Sequence, residues 1–255
     1  LYTGFYWYKS GVTETMIKAL KEIANLAEQR FNLQSGDVML DIGSNDGTLL
    51  RQFTVPGLIT VGVEPATNLA EEGSKGITHL INDFWIYDKY FSVVGKKAKV
   101  ITALGMFYDM EDPNQFIADA EKALTDDGVF IAQLMCLKNM LDSNDVGNIC
   151  HEHLEYYSFA SLEYLFGQNG LEIFDIEINN VNGGSYRLYA KKKGAMINIP
   201  EGAAERIAQV KEEEKDFQDK KVYQDFFQRL EDNKKRCVDF IKQETAKGKK
   251  VWVFG

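Results

Sequence analysis

Two of the three histidines in the chain stand one residue apart, in His151-Glu152-His153. An imidazole exchanges its proton near neutral pH, so either side chain could serve as a general base at a reacting centre. The His-X-His spacing also suits a metal ion, although only Glu152 or Glu155 stands close enough in sequence to be a further ligand. We therefore expect a base and no metal, with a purely structural histidine pair as the remaining alternative.

A ligand-binding turn is predicted where the apolar run Val38–Ile42 meets Gly43-Ser44-Asn45-Asp46-Gly47. Glycine lets the backbone approach a ligand closely, and α/β sheets bind nucleosides at the carboxyl ends of their strands. Asn45 stands where a dinucleotide-binding fingerprint has its second glycine. The turn therefore predicts a nucleoside without phosphates and argues against an NAD-dependent oxidoreductase. The contacts expected in this region are Asp41, Gly43, Asn45, Asp46 and Gly47.

The next apolar run, Ile59–Glu64, ends in a carboxylate that could accept hydrogen bonds from both hydroxyls of a ribose. NAD enzymes share such an acid, so Glu64 is informative only together with the glycine turn. After a third strand-like run, Asp83 could accept a hydrogen bond from an adenine amino group, and Phe84 could lie beside the base. Core packing is the alternative for Phe84. Leu104, at the end of a fourth run, completes the expected nucleoside site.

Apolar, β-branched runs alternate with helical patterns along the first half of the chain, which predicts a parallel sheet wrapped by helices. The strands expected there are Val38–Ile42, Ile59–Glu64, Ala98–Leu104 and Val129–Leu134, and the helices are Asp46–Phe53, Ala66–Gly73 and Pro113–Leu124. Helices are also expected at Glu14–Phe31 and Ser161–Asn169, and two further strands at Leu171–Ile178 and Ser185–Lys191. The fold class is therefore α/β, with six or seven strands.

The chain divides by pattern into three segments. Residues 1–35 are expected to form an N-terminal arm and a helix, and residues 36–195 a Rossmann-like nucleoside-binding domain. Residues 196–255 contain charged amphipathic helices, which we expect to pack on the domain or across a homodimer, and the start of a further strand at Val251–Gly255. Because the chain begins without methionine and stops at that strand, we expect it to be part of a longer protein.

Composition limits the partners. A net charge of −9 disfavours a surface that tracks nucleic-acid phosphates, and no apolar run is long enough to cross a membrane. Three cysteines without CxxC spacing predict neither a disulfide framework nor a zinc knuckle. We therefore expect a cytoplasmic protein that acts on a small molecule.

Four motifs together resemble a known family: Asp41–Leu50, His151–Ser158, Asn182–Arg187 and Tyr6–Gly11. The first is similar to the class I methyltransferases, and the others narrow the resemblance to S-adenosylmethionine-dependent enzymes that add a branching C-methyl group to nucleotide-linked keto-deoxysugars. The resemblance runs from about Tyr6 to the last residue. It implies S-adenosylmethionine as cofactor, a nucleotide-linked sugar or related metabolite as substrate, and a Rossmann-like sheet with helices on both faces.

The resemblance also implies that the N-terminal arm and helix of residues 1–35 lie over the active site, and it implies roles for individual residues. His153 would remove a proton from a carbon beside a ketone, His151 and Glu152 would orient it or contact the substrate, and Tyr8 would donate to the enolate or a sugar hydroxyl. The implied substrate contacts are Lys9, Ser10, Cys150, Tyr157, Gly183, Gly184 and Ser185. The alternative for Tyr8–Ser10 and Tyr157 is aromatic packing against the core. The alternative for Gly183–Ser185 is a plain hairpin turn.

The sequence departs from the family in two ways. Cys150 stands where the family has tyrosine before His-Glu-His, and the 255 residues hold neither the preceding zinc-binding segment nor most of the following Rossmann-like lobe. Both differences concern the substrate more than the cofactor. Two alternatives therefore stay open: O- or N-methyl transfer with the same histidine, and a non-catalytic S-adenosylmethionine-binding subunit that docks through residues 201–247.

Overall fold

The computed structural model describes residues 3–253, in which seven strands form one sheet in the order β3-β2-β1-β4-β5-β7-β6. Neighbouring strands are parallel from β3 to β5, whereas β7 runs antiparallel to both β5 and β6. The strands are β1 Val38–Ile42, β2 Ile59–Val63, β3 His79–Ile81, β4 Ala98–Leu104, β5 Leu124–Met135, β6 Leu171–Asn179 and β7 Ser185–Lys192. The predicted α/β sheet is confirmed.

Helices cover both faces of the sheet. Their bounds are α1 Glu14–Phe31, α2 Ala70–Gly73, α3 Tyr87–Val94, α4 Pro113–Ala123, α5 Leu137–Ser143, α6 Phe159–Gln168, α7 Ala203–Glu213 and α8 Lys220–Ala246. Because side chains alternate along a strand, Met39 packs with α1 on one face while Leu40 packs with α3, α4 and α6 on the other. The predicted two-sided covering is confirmed.

Local capping explains where several helices begin. The side chain of Thr13 accepts a hydrogen bond from the Met16 amide at the start of α1, and Asp112 accepts one from Gln115 at the start of α4. Ser158 and Ser161 form a reciprocal capping box at the start of α6. These caps place α1, α4 and α6 without long-range help, and all three were expected within two or three residues.

The helix expected over Asp46–Phe53 is wrong. The structure has turns there and one 3₁₀ turn at Leu50–Gln52, because Asp46 bonds the amide and hydroxyl of Thr48 and so competes with helical bonding. The strand expected over Val251–Gly255 is also not formed at residues 251–253, and its last two residues lie outside the described range. The division of the chain into three segments stays a prediction.

The C-terminal helices pack on the domain only in part. Val210 on α7 is buried in the main core, and Phe226 on α8 packs against Leu137, Met140 and Leu141 of α5. Further along α8, the side chains of Val238, Phe240 and Ile241 are exposed. Packing of that outer half across a homodimer stays a prediction. None of the helices within residues 3–253 combines the length and apolarity that a membrane crossing requires.

Candidate active site

Two adjoining cavities lie at the carboxyl ends of the parallel strands. The larger, of about 530 Å³, is bounded by the ends of β1, β2 and β4 and by the N-terminal arm, residues 3–12. The smaller, of about 220 Å³, lies between that arm, α1 and the ends of β4 and β5. Residues of the arm and of the β4 end line both, namely Tyr6, Tyr8, Ser10, Leu104 and Gly105. The arm therefore forms a wall between two neighbouring binding spaces.

Glu64 connects the glycine turn after β1 to the end of β2. One carboxylate oxygen accepts the amide of Asn45 and the other accepts the amide of Ala66, each at 2.8 Å. Burial raises the pKa of Glu64, and the two amide bonds oppose that rise. The carboxylate also lines the larger cavity, and its remaining lone pairs could accept ribose hydroxyls.

Asn45 clamps the arm onto this turn. Its backbone is left-handed, with φ of 51°, and its amide group pairs with the arm in both directions. The Ser10 amide donates to Asn45 Oδ1 and Asn45 Nδ2 donates to the Tyr8 carbonyl, each at 3.0 Å. Asn68 repeats the pattern with the amide and carbonyl of Tyr6, at 2.9 and 3.0 Å. Two asparagines therefore hold the arm as a partner strand would.

The other expected residues of the glycine turn divide into two groups. Gly43 lines the larger cavity, whereas Asp41, Asp46 and Gly47 do not. Asp46 accepts the Gly11 amide at 2.8 Å, and a Cβ on Gly47 would lie 2.7 Å from the carbonyl oxygen of Gly73. These two residues therefore shape the arm and the turn.

Asp41 lies within the sheet, where Thr102 Oγ1 on β4 donates to its carboxyl group at 2.6 Å. Burial raises the pKa of Asp41 to about 7, the bond from Thr102 opposes this, and the negative charge of Glu64 adds to it. Asp41 therefore joins β1 to β4 beneath the cavity.

The far end of the larger cavity differs in detail from expectation. Phe84 lines it and is 51% exposed, so it is not a core residue. Asp83 does not line it, because its carboxylate pairs with Lys89 and accepts the Phe84 amide. Trp85 and Gln115 line this end and were missed, since only the fold brings the β3 loop against α4.

Three tyrosines stand around the wall that the cavities share. Burial raises the pKa values of Tyr6, Tyr8 and Tyr108, and the negative charges of Asp109 and Glu152 raise that of Tyr6 further. Their hydroxyls are therefore protonated at neutral pH, and that of Tyr108 already donates to the Gly105 carbonyl at 3.0 Å. Tyr8 was expected here; Tyr6 belongs to the same Tyr6–Gly11 motif but was given no role, and nothing in the local sequence distinguishes Tyr108.

His153 lies directly behind Tyr108. The two rings meet edge to face with centroids 4.5 Å apart, and neither cavity lining includes His153. Its Nδ1 is 2.8 Å from the Asn148 carbonyl oxygen, which can only accept, so in the neutral ring Nδ1 carries the hydrogen and Nε2 a lone pair. His151 is exposed and Glu152 half-buried. Within residues 3–253, no group of three His, Cys, Asp or Glu side chains is placed to hold a metal.

The expected substrate residues are spread over several environments. Ser10 lines both cavities, Lys9 pairs with Glu72 at 2.9 Å, and Cys150 is half-buried near Tyr108. Tyr157 lies in the core, stacked on Phe107 with centroids 5.4 Å apart.

The hairpin between β6 and β7 reaches the smaller cavity through Val181 and Asn182. Gly183, Gly184 and Ser185, which were expected there, are not part of the lining. Gly184 has φ of 128° and packs against Asn139, and Ser185 Oγ donates to the Val181 carbonyl at 2.9 Å. Gly183, Gly184 and Ser185 therefore shape the turn that places Asn182 at the cavity.

Comparisons with known proteins agree with this geometry. A family model described as "Methyltransferase domain" matches residues 9–176, and one described as "C-methyltransferase C-terminal domain" matches residues 180–255. The C-methyltransferase NovU of Streptomyces niveus is 27% identical over 260 residues, which cover 99% of this chain and 60% of that protein. The chain thus spans about 60% of the length of this relative.

Solved structures with the same fold are more distant in sequence. The magnesium protoporphyrin IX methyltransferase of Synechocystis PCC 6803, with bound SAH, has a TM-score of 0.52 and 14% identity over 72% of this chain and 90% of that one. The cyclopropane synthase MmaA2 of Mycobacterium tuberculosis has a TM-score of 0.55 and 14% identity over 74% and 90%. Both support the same class of α/β sheet.

The strand order and the cavity at the carboxyl ends of the parallel strands are those of class I S-adenosylmethionine-dependent methyltransferases. The chain belongs to the methyltransferase family that the first family model describes, and S-adenosylmethionine is its cofactor.

The first prediction concerns the Asn45 clamp. Asn45→Gly keeps the left-handed backbone and the bond to Glu64 but removes both bonds to the arm. At about 0.5–1.5 kcal/mol per bond, the open arm should become at least about fivefold more populated. Trypsin cleavage after Lys9 should accelerate accordingly. Asn32→Gly, another left-handed asparagine far from the arm, is the control. Equal cleavage rates in Asn45→Gly and wild type would show that the Asn45 side chain does not hold the arm in place.

The second prediction concerns Asp41. Its folded pKa of about 7 exceeds the ordinary value of 3.8, so the unfolded chain ionises first as pH rises. Its contribution to the free energy of unfolding is therefore complete below pH 4 and declines up to pH 7, by on the order of a few kcal/mol. Asp41→Asn keeps the acceptor for Thr102 but cannot ionise. Urea denaturation from pH 4 to 8 should show wild type losing stability relative to Asp41→Asn, and a constant difference would contradict this.

Proposed function

We propose that the chain carries out the methyl-transfer step of a sugar C-methyltransferase. The substrate would be a nucleotide-linked keto-deoxysugar, methylated at a carbon beside the ketone. The match to C-methyltransferase NovU over 99% of the chain is the observation that carries C-methyl transfer, and the resemblance of the motifs His151–Ser158 and Asn182–Arg187 supports the sugar substrate. Two adjoining cavities, one sized for a nucleoside and one for a smaller ring, are consistent with it.

The larger cavity suits S-adenosylmethionine, which supplies an electrophilic methyl group. Glu64 offers a buried carboxylate for the ribose hydroxyls, and Gly43 leaves room for close approach because it has no side chain. Phe84 and Trp85 offer apolar surface for the adenine. Leu104 and Gly105, at the end of β4, border both cavities and would line the route of the methyl group to the acceptor.

The acceptor would lie in the smaller cavity, where its C–H proton must be removed. We assign this step to Nε2 of His153: the C–H bond breaks, the proton moves to Nε2, and the electron pair is delocalised onto the ketone oxygen. Bound S-adenosylmethionine would supply the methyl group to this carbon, and the electron pair of its carbon–sulfur bond would leave with the sulfur. The protonated Tyr8 hydroxyl would donate to the oxygen that becomes negative. Tyr108 lines the smaller cavity and His153 packs against it from outside the lining. The Tyr108 ring must therefore move when His153 Nε2 approaches the acceptor.

Two wider proposals follow. The three cysteines are free, which suits a reducing compartment such as the cytoplasm. We propose that the protein acts there, in carbohydrate biosynthesis. We also propose that the exposed outer half of α8 forms a homodimer contact.

The proposed function is tested by incubating the chain with S-adenosylmethionine and a nucleoside-diphosphate-linked keto-deoxysugar. We expect a new carbon-bound methyl group by NMR and, in heavy water with S-adenosylhomocysteine bound, deuterium at the same carbon. His153→Asn should lower kcat by about 10²- to 10⁴-fold, the usual contribution of a positioned base, because the C–H proton loses its acceptor. Affinity for S-adenosylhomocysteine should stay within about twofold of wild type.

His79→Asn is the matched control, because His79 begins β3 on the strand farthest from the acceptor cavity. Methyl transfer to oxygen or nitrogen would overturn the C-methyltransferase proposal and favour the O- or N-transfer alternative. Binding of S-adenosylhomocysteine without turnover of keto sugars would favour a non-catalytic subunit. Full turnover by His153→Asn would overturn the assignment of the base alone.

A further inference from the structure

A buried amide side chain faces the smaller cavity from the floor of the sheet. Gln133 stands near the end of β5, is 7% exposed, and lines this cavity together with Tyr108 and Asn182. Its Oε1 accepts hydrogen bonds from Arg187 Nε at 3.0 Å and from Asn179 Nδ2 at 3.1 Å. A polar side chain in the apolar second half of β5 is therefore held by one residue of β7 and one of β6.

The hydrogen bonds determine which way the amide points. The Nε of an arginine can only donate, so the atom of Gln133 that faces it must be the oxygen. Asn179 is oriented in the same way, because its Oδ1 accepts the Val181 amide at 2.9 Å and leaves Nδ2 to donate to Gln133. The NH₂ group of Gln133 is therefore directed away from both partners and toward the cavity.

The positive charge of Arg187, which lies behind the Gln133 amide, is compensated by two carboxylates. Arg187 is 3% exposed, and its Nη1 lies 3.1 Å from Glu22 Oε1 on α1 and 3.4 Å from Glu177 Oε2 on β6. The Tyr189 hydroxyl donates to the same Glu177 oxygen at 3.1 Å. Gln133 thus presents a neutral donor, rigidly held by a neutralised ion-pair network, rather than a positive charge.

We propose that Gln133 donates a hydrogen bond from Nε2 to an oxygen of the acceptor, the ketone oxygen that becomes negative when the neighbouring C–H proton is removed. This inference rests on the proposed function. A neutral, fixed N–H suits such an oxygen because it stabilises developing charge without reorganising. A cofactor carboxylate would be served better by an uncompensated cation, and Glu64 and Gly43 lie only in the larger cavity.

Gln133→Glu is the sharpest test. The carboxylate keeps the size of the side chain and the acceptor for Arg187 and Asn179, but it replaces the N–H donor by an oxygen. We expect kcat/KM for the keto sugar to fall about 100-fold or more, and C–H exchange to slow similarly, because the developing negative oxygen would lose its donor. Affinity for S-adenosylhomocysteine should stay within about twofold. Gln29→Glu, exposed on α1, is the matched control and should equal wild type.

Gln133→Met provides a second variant that removes the donor without adding a charge. Its kcat/KM should fall at least tenfold at an unchanged affinity for S-adenosylhomocysteine, with folding checked by urea denaturation. If wild type does not methylate keto sugars, the proposed function fails and this inference with it. If wild type does so and both variants stay within threefold of it, this inference alone is overturned. A tenfold loss of S-adenosylhomocysteine affinity at unchanged kcat would also overturn it, because Nε2 would then serve the cofactor.

Discussion

The position of both cavities depends on the buried carboxylate of Glu64. Its two bonds to the amides of Asn45 and Ala66 fix the glycine turn to the end of β2. Bonds to a charged acceptor each contribute about 1.5–3 kcal/mol, which is enough to hold Asn45 in its left-handed conformation. In that conformation the Asn45 side chain reaches the arm at Tyr8 and Ser10. The wall shared by the cavities is therefore a consequence of one buried acid.

The two walls of the smaller cavity have a common chemistry. The arm contributes the Tyr8 hydroxyl, which is protonated because burial raises its pKa, and β5 contributes Gln133, whose oxygen is occupied by Arg187 and Asn179. Both walls therefore present neutral hydrogen-bond donors. Such a surface favours a ligand rich in oxygen atoms, and a negative charge that develops on one of them would be stabilised from two sides.

Features set by local pattern were predictable from the sequence, and those set by long-range contacts were not. The bounds of α1, β1 and β4 follow from hydrophobic periodicity, and Gly43 and Glu64 were found because a glycine turn and a terminal acid are local signals. The helix at Asp46–Phe53 failed because the Asp46 side chain bonds Thr48. Asp83 pairs with Lys89 and does not line the cavity, so its contact with adenine stays a prediction. Gln133 did carry a signal, a polar residue at the carboxyl end of an apolar run, but its orientation depends on strands about fifty residues away.

The central claim is that the cofactor turn and the arm behave as one unit through Asn45. Amide hydrogen exchange, followed by mass spectrometry with and without S-adenosylhomocysteine, tests it most directly. Ligand binding should protect residues 43–48 and residues 6–12 together, with the same dependence on ligand concentration. Protection of the turn with unchanged exchange in the arm would contradict the account, because the arm would then be free to move independently of the occupied cofactor cavity.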